Sequence, residues 1–210
     1  SANMSASGAG ASSSTRGVFA RGGSGNVLEF VEIMTTGNSV DFGDLTGNLN
    51  EGSACGSQTR ALFNKGQGDD GVDFLTIASK GNATEFGLDN HDHGQGQRGS
   101  GSCSNSIRGL FASGGGGSNY NKTLRQVTIA SQGNTFEFGE RTVLSRLVTA
   151  AASQTRATFA AGINVSSTNF NTIDYIQIQS LGNATDFGDM TAAFHAHTGV
   201  SDSHGGLGGF

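Results

Sequence analysis

The chain has 210 residues, 35 of them glycine and none proline, with 34% hydrophobic residues, 14% charged residues and a formal net charge of −5. It has no clustered Lys and Arg to neutralise phosphates, which argues against a nucleic-acid partner, and no apolar stretch of membrane-span or signal-peptide character. Low apolar content with abundant glycine usually warns of disorder, but here the apolar residues fall at recurring positions, so one packed domain is expected.

The chain opens on Ser1 rather than Met, which suggests a processed or partial product. Residues 1–12 form a Ser/Ala/Gly arm that reads as a flexible linker or a short pairing strand. A repeat domain over 13–210 follows. Its first motif, Ser-x-x-Arg-x-x-Phe, occurs at Ser13/Arg16/Phe19, Ser57/Arg60/Phe63 and Ser153/Arg156/Phe159, with an Asn variant at Asn105/Arg108/Phe111. The arginines at 16, 60, 108 and 156 are thus spaced by 44, 48 and 48 residues. A second motif, Gly-Asn-x-x-acid-Phe-Gly, follows each arginine, at 37–43, 81–87, 133–139 and 182–188. Such a period marks one supersecondary unit stacked on copies of itself. The expected units are 13–56, 57–104, 105–152 and 153–200, with 201–210 as a closing strand. His204 stands there in the arginine position and Leu207 in the phenylalanine position. Cys55 and Cys103 each precede a motif arginine by five residues, so they are either equivalent buried thiols or a bridged pair.

The fourth unit predicts four strands. Arg156–Gly162 is short and small enough for an inner strand. Residues 172–179 alternate with period two and are rich in β-branched residues. Leu181-Gly182-Asn183 is a hairpin turn leading into Ala184–Phe187, and a weaker fourth strand is expected over 191–199. Four short strands in each unit of about 45–50 residues, with no helical periodicity, predict an all-β kelch-like β-propeller of about four blades. A terminal strand paired into the first blade would remove exposed edges.

Connections between the arginine strand and the alternating strand vary in length from unit to unit, and such loop faces commonly carry binding chemistry. The binding candidates there are Asn26, Asp69, Asp70, Asn119, Tyr120, Asn169 and Phe170. The motif acids (Asp41, Glu85, Glu137, Asp186) recur in step with the motif arginines, and each arginine is expected to pair with a carboxylate within or between units and fix register rather than to bind anions. The motif phenylalanines Phe42, Phe86, Phe138 and Phe187 are expected in the core. His91/His93 and His195/His197 are His-x-His pairs, which on a strand would place two imidazoles on one side and could begin a divalent-metal site. No other cofactor is expected. No nucleophile elbow, Walker loop or His-Glu-x-x-His sequence occurs, and identical units would present identical surfaces where acid–base catalysis needs different ones. No enzyme is expected.

The stretches Thr15-Arg16-Gly17-Val18-Phe19, Ile173-Asp174-Tyr175-Ile176-Gln177-Ile178 and Gly182-Asn183-Ala184-Thr185-Asp186-Phe187-Gly188-Asp189 resemble a repeat family of marine tailed phages, especially cyanophages. The resemblance covers most of 13–191. The third unit departs from it, with Arg125-Gln126 where Glu29-Phe30, Asp73-Phe74 and Asp174-Tyr175 stand elsewhere. Proteins of that family are similar to kelch-type propellers and are taken as virion structural or tail-fibre components. The resemblance therefore implies a virion-surface, extracellular protein whose partners are other virion proteins or a host-surface receptor or glycan, with a homo-oligomer as a further expectation. A carbohydrate-binding propeller lectin is one alternative, although Trp is absent and Tyr120 and Tyr175 are the only tyrosines. A metal-stabilised oligomeric fibre segment is another.

Overall fold

The computed structural model describes residues 8–23, 25–90, 98–116 and 119–201. Sixteen strands make four antiparallel four-stranded sheets, each from consecutive strands, and the described residues contain no helix. The first sheet contains β1 (Ala9–Ser12), β2 (Arg16–Ala20), β3 (Gly25–Glu32) and β4 (Val40–Leu49); the second, β5 (Ser53–Gly56), β6 (Arg60–Asn64), β7 (Gly71–Thr76) and β8 (Thr84–Leu88). The third contains β9 (Gly101–Ser104), β10 (Arg108–Gly116), β11 (Asn119–Thr128) and β12 (Phe136–Glu140); the fourth, β13 (Thr149–Ala152), β14 (Arg156–Ala160), β15 (Thr172–Gln177) and β16 (Thr185–Asp189).

The arginine strand is therefore second in its sheet. The first is the Ser/Ala/Gly/Cys segment just before it, whose small side chains let β1, β5, β9 and β13 lie side by side. Residues of these four strands, with 199–201, line one cavity of about 250 Å³. The fourth strand expected over 191–199 is not formed, because the segment before each arginine motif pairs forward into the following sheet. Side chains tie the central strands together across units: the Ser102 hydroxyl donates to the Ala54 carbonyl at 2.7 Å and Ser104 to Gly56 at 2.6 Å. Cys55 and Cys103 are buried free thiols on β5 and β9.

The acid-Phe-Gly motif is a bulge. In the first sheet Leu28 faces Gly43 and Glu29 faces Asp41, so Phe42 is the extra residue, and the register shifts at the matching place in the other three sheets. A bulge re-aims its side chain. Phe42, Phe86 and Phe138 point into the space between their own sheet and the next, where three apolar clusters form the core. Burying each ring contributes about 1.5–3 kcal/mol. Phe187 lies on the face of the last sheet and is 54% exposed, so the expectation of burial fails there.

Three junctions join successive sheets in one pattern. The amides of Gly81, Gly133 and Gly182 donate to the carbonyls of Phe42, Phe86 and Phe138 of the preceding sheet, at 2.9–3.0 Å. Amides of Asp44, Leu88 and Glu140 donate in return to the side-chain oxygens of Asn82, Asn134 and Asn183, at 3.0–3.1 Å. The glycine after each bulged phenylalanine is required by this approach: a Cβ on Gly43 would lie 2.5 Å from the Gly81 carbonyl oxygen.

The motif arginines do not pair with the motif acids, which are exposed; Arg16 does hold a carboxylate of its own sheet, Glu32, at 2.6 Å, and the same pair does not recur at Arg60, Arg108 or Arg156 among the described residues. Arg16, Arg60 and Arg108 each donate Nη1 to an isoleucine carbonyl of the next sheet, Ile77, Ile129 and Ile178, at 2.8, 2.8 and 2.6 Å. Arg16, Arg60 and Arg156 also stack on Phe30, Phe74 and Tyr175 at about 4.5 Å. The repeated carbonyl, rather than a repeated carboxylate, sets the spacing between sheets.

Candidate functional site

Antiparallel pairing brings the β2–β3, β6–β7, β10–β11 and β14–β15 connections to one edge, together with the segments entering β5, β9 and β13. Each entry turns on a left-handed residue at a 48-residue interval: Glu51 (φ 52°), Gly99 (φ 66°) and Leu147 (φ 56°), with Ala196 (φ 57°) in the matching place after the fourth sheet. For a non-glycine residue this conformation costs about 1–2 kcal/mol, and it turns the neighbouring side chains onto the edge.

These neighbours build a charged rim. Arg98 grips the Glu51 carboxylate with Nε and Nη2 at 2.7 and 2.6 Å, and Arg146 Nη1 approaches the same carboxylate at 3.5 Å. Arg146 also donates Nε to the Tyr120 hydroxyl at 2.5 Å and lies over its ring. The hydrogen bond to Glu51 raises the Arg98 pKa, so this cation stays charged throughout the working range. One carboxylate thus gathers two guanidinium groups from successive unit boundaries. Below the rim, Glu51, Gly52, Gly99, Leu147, Ala196 and His197 are among the residues lining a cavity of about 340 Å³, and Gly52, Ser100, Val148 and His197 also line the cavity next to it.

Of the residues expected at this edge, Tyr120 belongs to the rim. Asn169 Oδ1 accepts from His195 Nδ1 (2.8 Å), and Phe170 lies alongside in the same loop, its amide donating to the Gly162 carbonyl. Asp69 serves packing: it holds the Lys65 ammonium at 3.0 Å and caps the Gly71 amide at 2.8 Å. The Asp70 carbonyl accepts from the Asp89 amide at 2.6 Å. Asn26 falls inside β3 at a register irregularity, and Asn119 begins β11 opposite Gly116. The edge therefore gathers Tyr120, Asn169 and Phe170, whereas Asp69 and Asp70 face the second sheet's own supports.

His195 and His197 are not on a strand, so the same-side rule does not apply to them. The left-handed Ala196 separates them: His195 meets Asn169, while His197 packs edge-on against Phe194 at 4.5 Å. Burial and then the charge of His195 lower the His197 pKa, which favours a neutral ring. Among the described residues no three His, Cys, Asp or Glu side chains are grouped to hold a metal ion. His91 and His93, like the closing segment over 202–210, lie outside the described residues.

The rim residues Glu51, Arg98 and Arg146 are not apparent as a motif, because they stand at or one residue before the left-handed turn of each unit and share no residue type. They precede the next motif arginine by nine, ten and ten residues, and that recurrence is the signal that marks them. No helix is long and apolar enough to cross a membrane among the described residues. No protein-family model matches the chain, and no curated protein does.

Proposed function

We propose that the chain is a non-enzymatic structural or appendage protein of a tailed-phage particle, with its sheets standing as blades of a kelch-like propeller. Its variable loop edge, around Tyr120, Arg146 and Asn169, is the surface that docks to other virion proteins or to a host-surface receptor. One observation carries this reading: the recurring residues are committed to the junctions, while residues that differ between units collect on one edge around the cavity. A scaffold that is uniform inside and individual along one rim suits recognition. The phage assignment rests on the motif resemblance at residues 13–191.

Immunogold labelling and mass spectrometry of purified particles of a phage encoding the chain test the assignment. Surface labelling is the expected result. Production in infected cells with absence from washed particles would overturn it. Binding to a glycan array that is lost with Tyr120→Ala would support the lectin alternative instead.

A further inference from the structure

The first and last sheets carry the two halves of the junction that joins the inner ones. On the last sheet, Arg156 stacks on Tyr175 but lacks the isoleucine carbonyl that Arg16, Arg60 and Arg108 each bind. Phe187 is bulged like its three buried counterparts, yet no sheet covers it among the described residues. A Cβ on Gly188 would meet nothing within 4 Å, whereas those on Gly43, Gly87 and Gly139 would strike the next sheet's hairpin. Thr191 stands four residues beyond Phe187, as Thr46 and Thr142 stand beyond Phe42 and Phe138; those two bind Asp73 and Asp174 of the following sheet.

The first sheet offers the complement. Ile33 takes the place of Ile77, Ile129 and Ile178, and no arginine among the described residues reaches its carbonyl; it is 51% exposed where those three are buried. Gly37-Asn38 is the hairpin that elsewhere receives a preceding strand, and Asn38 is exposed. Glu29 occupies the position of Asp73 and Asp174. The Arg156 guanidinium, the Asp189 amide and the Thr191 hydroxyl on the last sheet thus match the Ile33 carbonyl, Asn38 and Glu29 on the first, where Glu29 also holds Arg21 at 3.3 Å.

We propose that a second copy of this chain docks head to tail, its first sheet against the fourth sheet of its neighbour, through the same contacts that join the sheets within each copy. Arg156 then binds the Ile33 carbonyl of the neighbour, Asn38 accepts from the Asp189 amide, Thr191 meets Glu29, and the ring of Phe187 is covered. Residues 199–201, which line the cavity beyond β13, stand where the neighbour's β1 belongs and are moved aside by docking. The contact is heterologous, so it repeats from copy to copy until a ring closes or a filament grows.

Analytical ultracentrifugation of the 210-residue chain over a wide concentration range tests this with two variants. Phe187→Asp spoils only the tail face and Ile33→Asp only the head face, and both side chains are exposed in the single copy. The wild type is expected to associate with rising concentration and each variant to remain monomeric. The equimolar mixture of the two is expected to form a 1:1 pair and nothing larger, because it contains one intact head and one intact tail. Arg156→Gln removes a single charged donor and is expected to weaken wild-type association about tenfold or more, giving a milder readout should an aspartate variant fail to fold. A wild type that stays monomeric, a single variant that still self-associates, or a mixture that forms no pair would each overturn the proposal.

Discussion

Arg141 donates Nε to an Asp174 carboxylate oxygen at 2.8 Å across the junction between the third and fourth sheets, and both side chains are fully buried. One junction earlier the charges are reversed: Asp89 occupies the Arg141 position, and Arg125 occupies the Asp174 position, where its charge opposes the burial that raises the Asp89 pKa. The departure of the third unit at Arg125-Gln126 is thus a compensated exchange, with the basic partner moved from the preceding strand to the following one.

Breaking this buried pair on one side is expected to be costly. Asp174→Asn and Arg141→Met should each destabilise the chain by about 3–5 kcal/mol, since either leaves the partner charge without compensation. The double variant Arg141→Met/Asp174→Leu should recover most of the loss. Urea unfolding monitored by circular dichroism measures all three, and a double variant no more stable than either single one would contradict the pairing.

Asp89 is the buried acid whose titration should be visible. Burial pushes its pKa up to about 6, against the pull of Asn64, Arg125 and Thr135. With the folded value above the unfolded one, its contribution is full below about pH 4 and is lost as pH rises through 6. About two units correspond to about 3 kcal/mol as an order of magnitude. Asp89→Asn should remove that slope, so the stability difference between wild type and variant should change sharply between pH 4 and 6 and level off above.

Gly139 and Gly188 hold the same motif position with φ of 158° and 140°, but only Gly139 faces another sheet. Gly188→Ala should cost about 1 kcal/mol from backbone conformation alone. Gly139→Ala adds a Cβ 2.2 Å from the Gly182 carbonyl oxygen and should cost several times as much, on the order of 3 kcal/mol. Thermal melts of dilute protein distinguish the two.

Burial raises both thiols, Cys55 to about 12 and Cys103 further still, so neither supplies thiolate at neutral pH. A disulfide reagent at pH 8 should label neither cysteine in the folded chain and both after denaturation. Rapid labelling without unfolding would show that the central strands open.

Arg60→Ala should destabilise by about 2 kcal/mol, because it removes a charged hydrogen bond to the Ile129 carbonyl as well as the stack on Phe74. Among the described residues Arg156→Ala removes only the stack on Tyr175, and it should cost under about 1 kcal/mol in dilute solution. Paired unfolding curves give the comparison.

The repeat was legible because its two motifs are local. Arg16-x-x-Phe19 marks a strand, Gly37-Asn38 a hairpin, and alternation over 172–179 a second strand, each decided by backbone preference and side-chain period. The four-strand count per unit and the all-β class follow from these features alone. Strand partnership does not. A short Ser/Ala/Gly/Cys segment has no strong preference of its own, so only the space beside a neighbouring sheet shows that Thr149–Ala152 pairs forward and that 191–199 forms no strand.

Long-range placement also decided what each recurring residue does. Arg60 could have met Glu85, yet it reaches the Ile129 carbonyl 69 residues away, because a backbone acceptor recurs in every unit whatever its side chains are. Four identical Phe-Gly pairs became three buried rings and one exposed ring, a difference set by having a following sheet or, among the described residues, lacking one. The rim of Glu51, Arg98 and Arg146 arises where three unit boundaries converge, and charges far apart in the chain become one cluster there. The sequence by itself determined the repeating unit, since short-range sterics and periodicity define it. Tertiary structure alone decided which faces are joined, which are left open and where the individual residues meet, because those outcomes depend on contacts between units rather than within them.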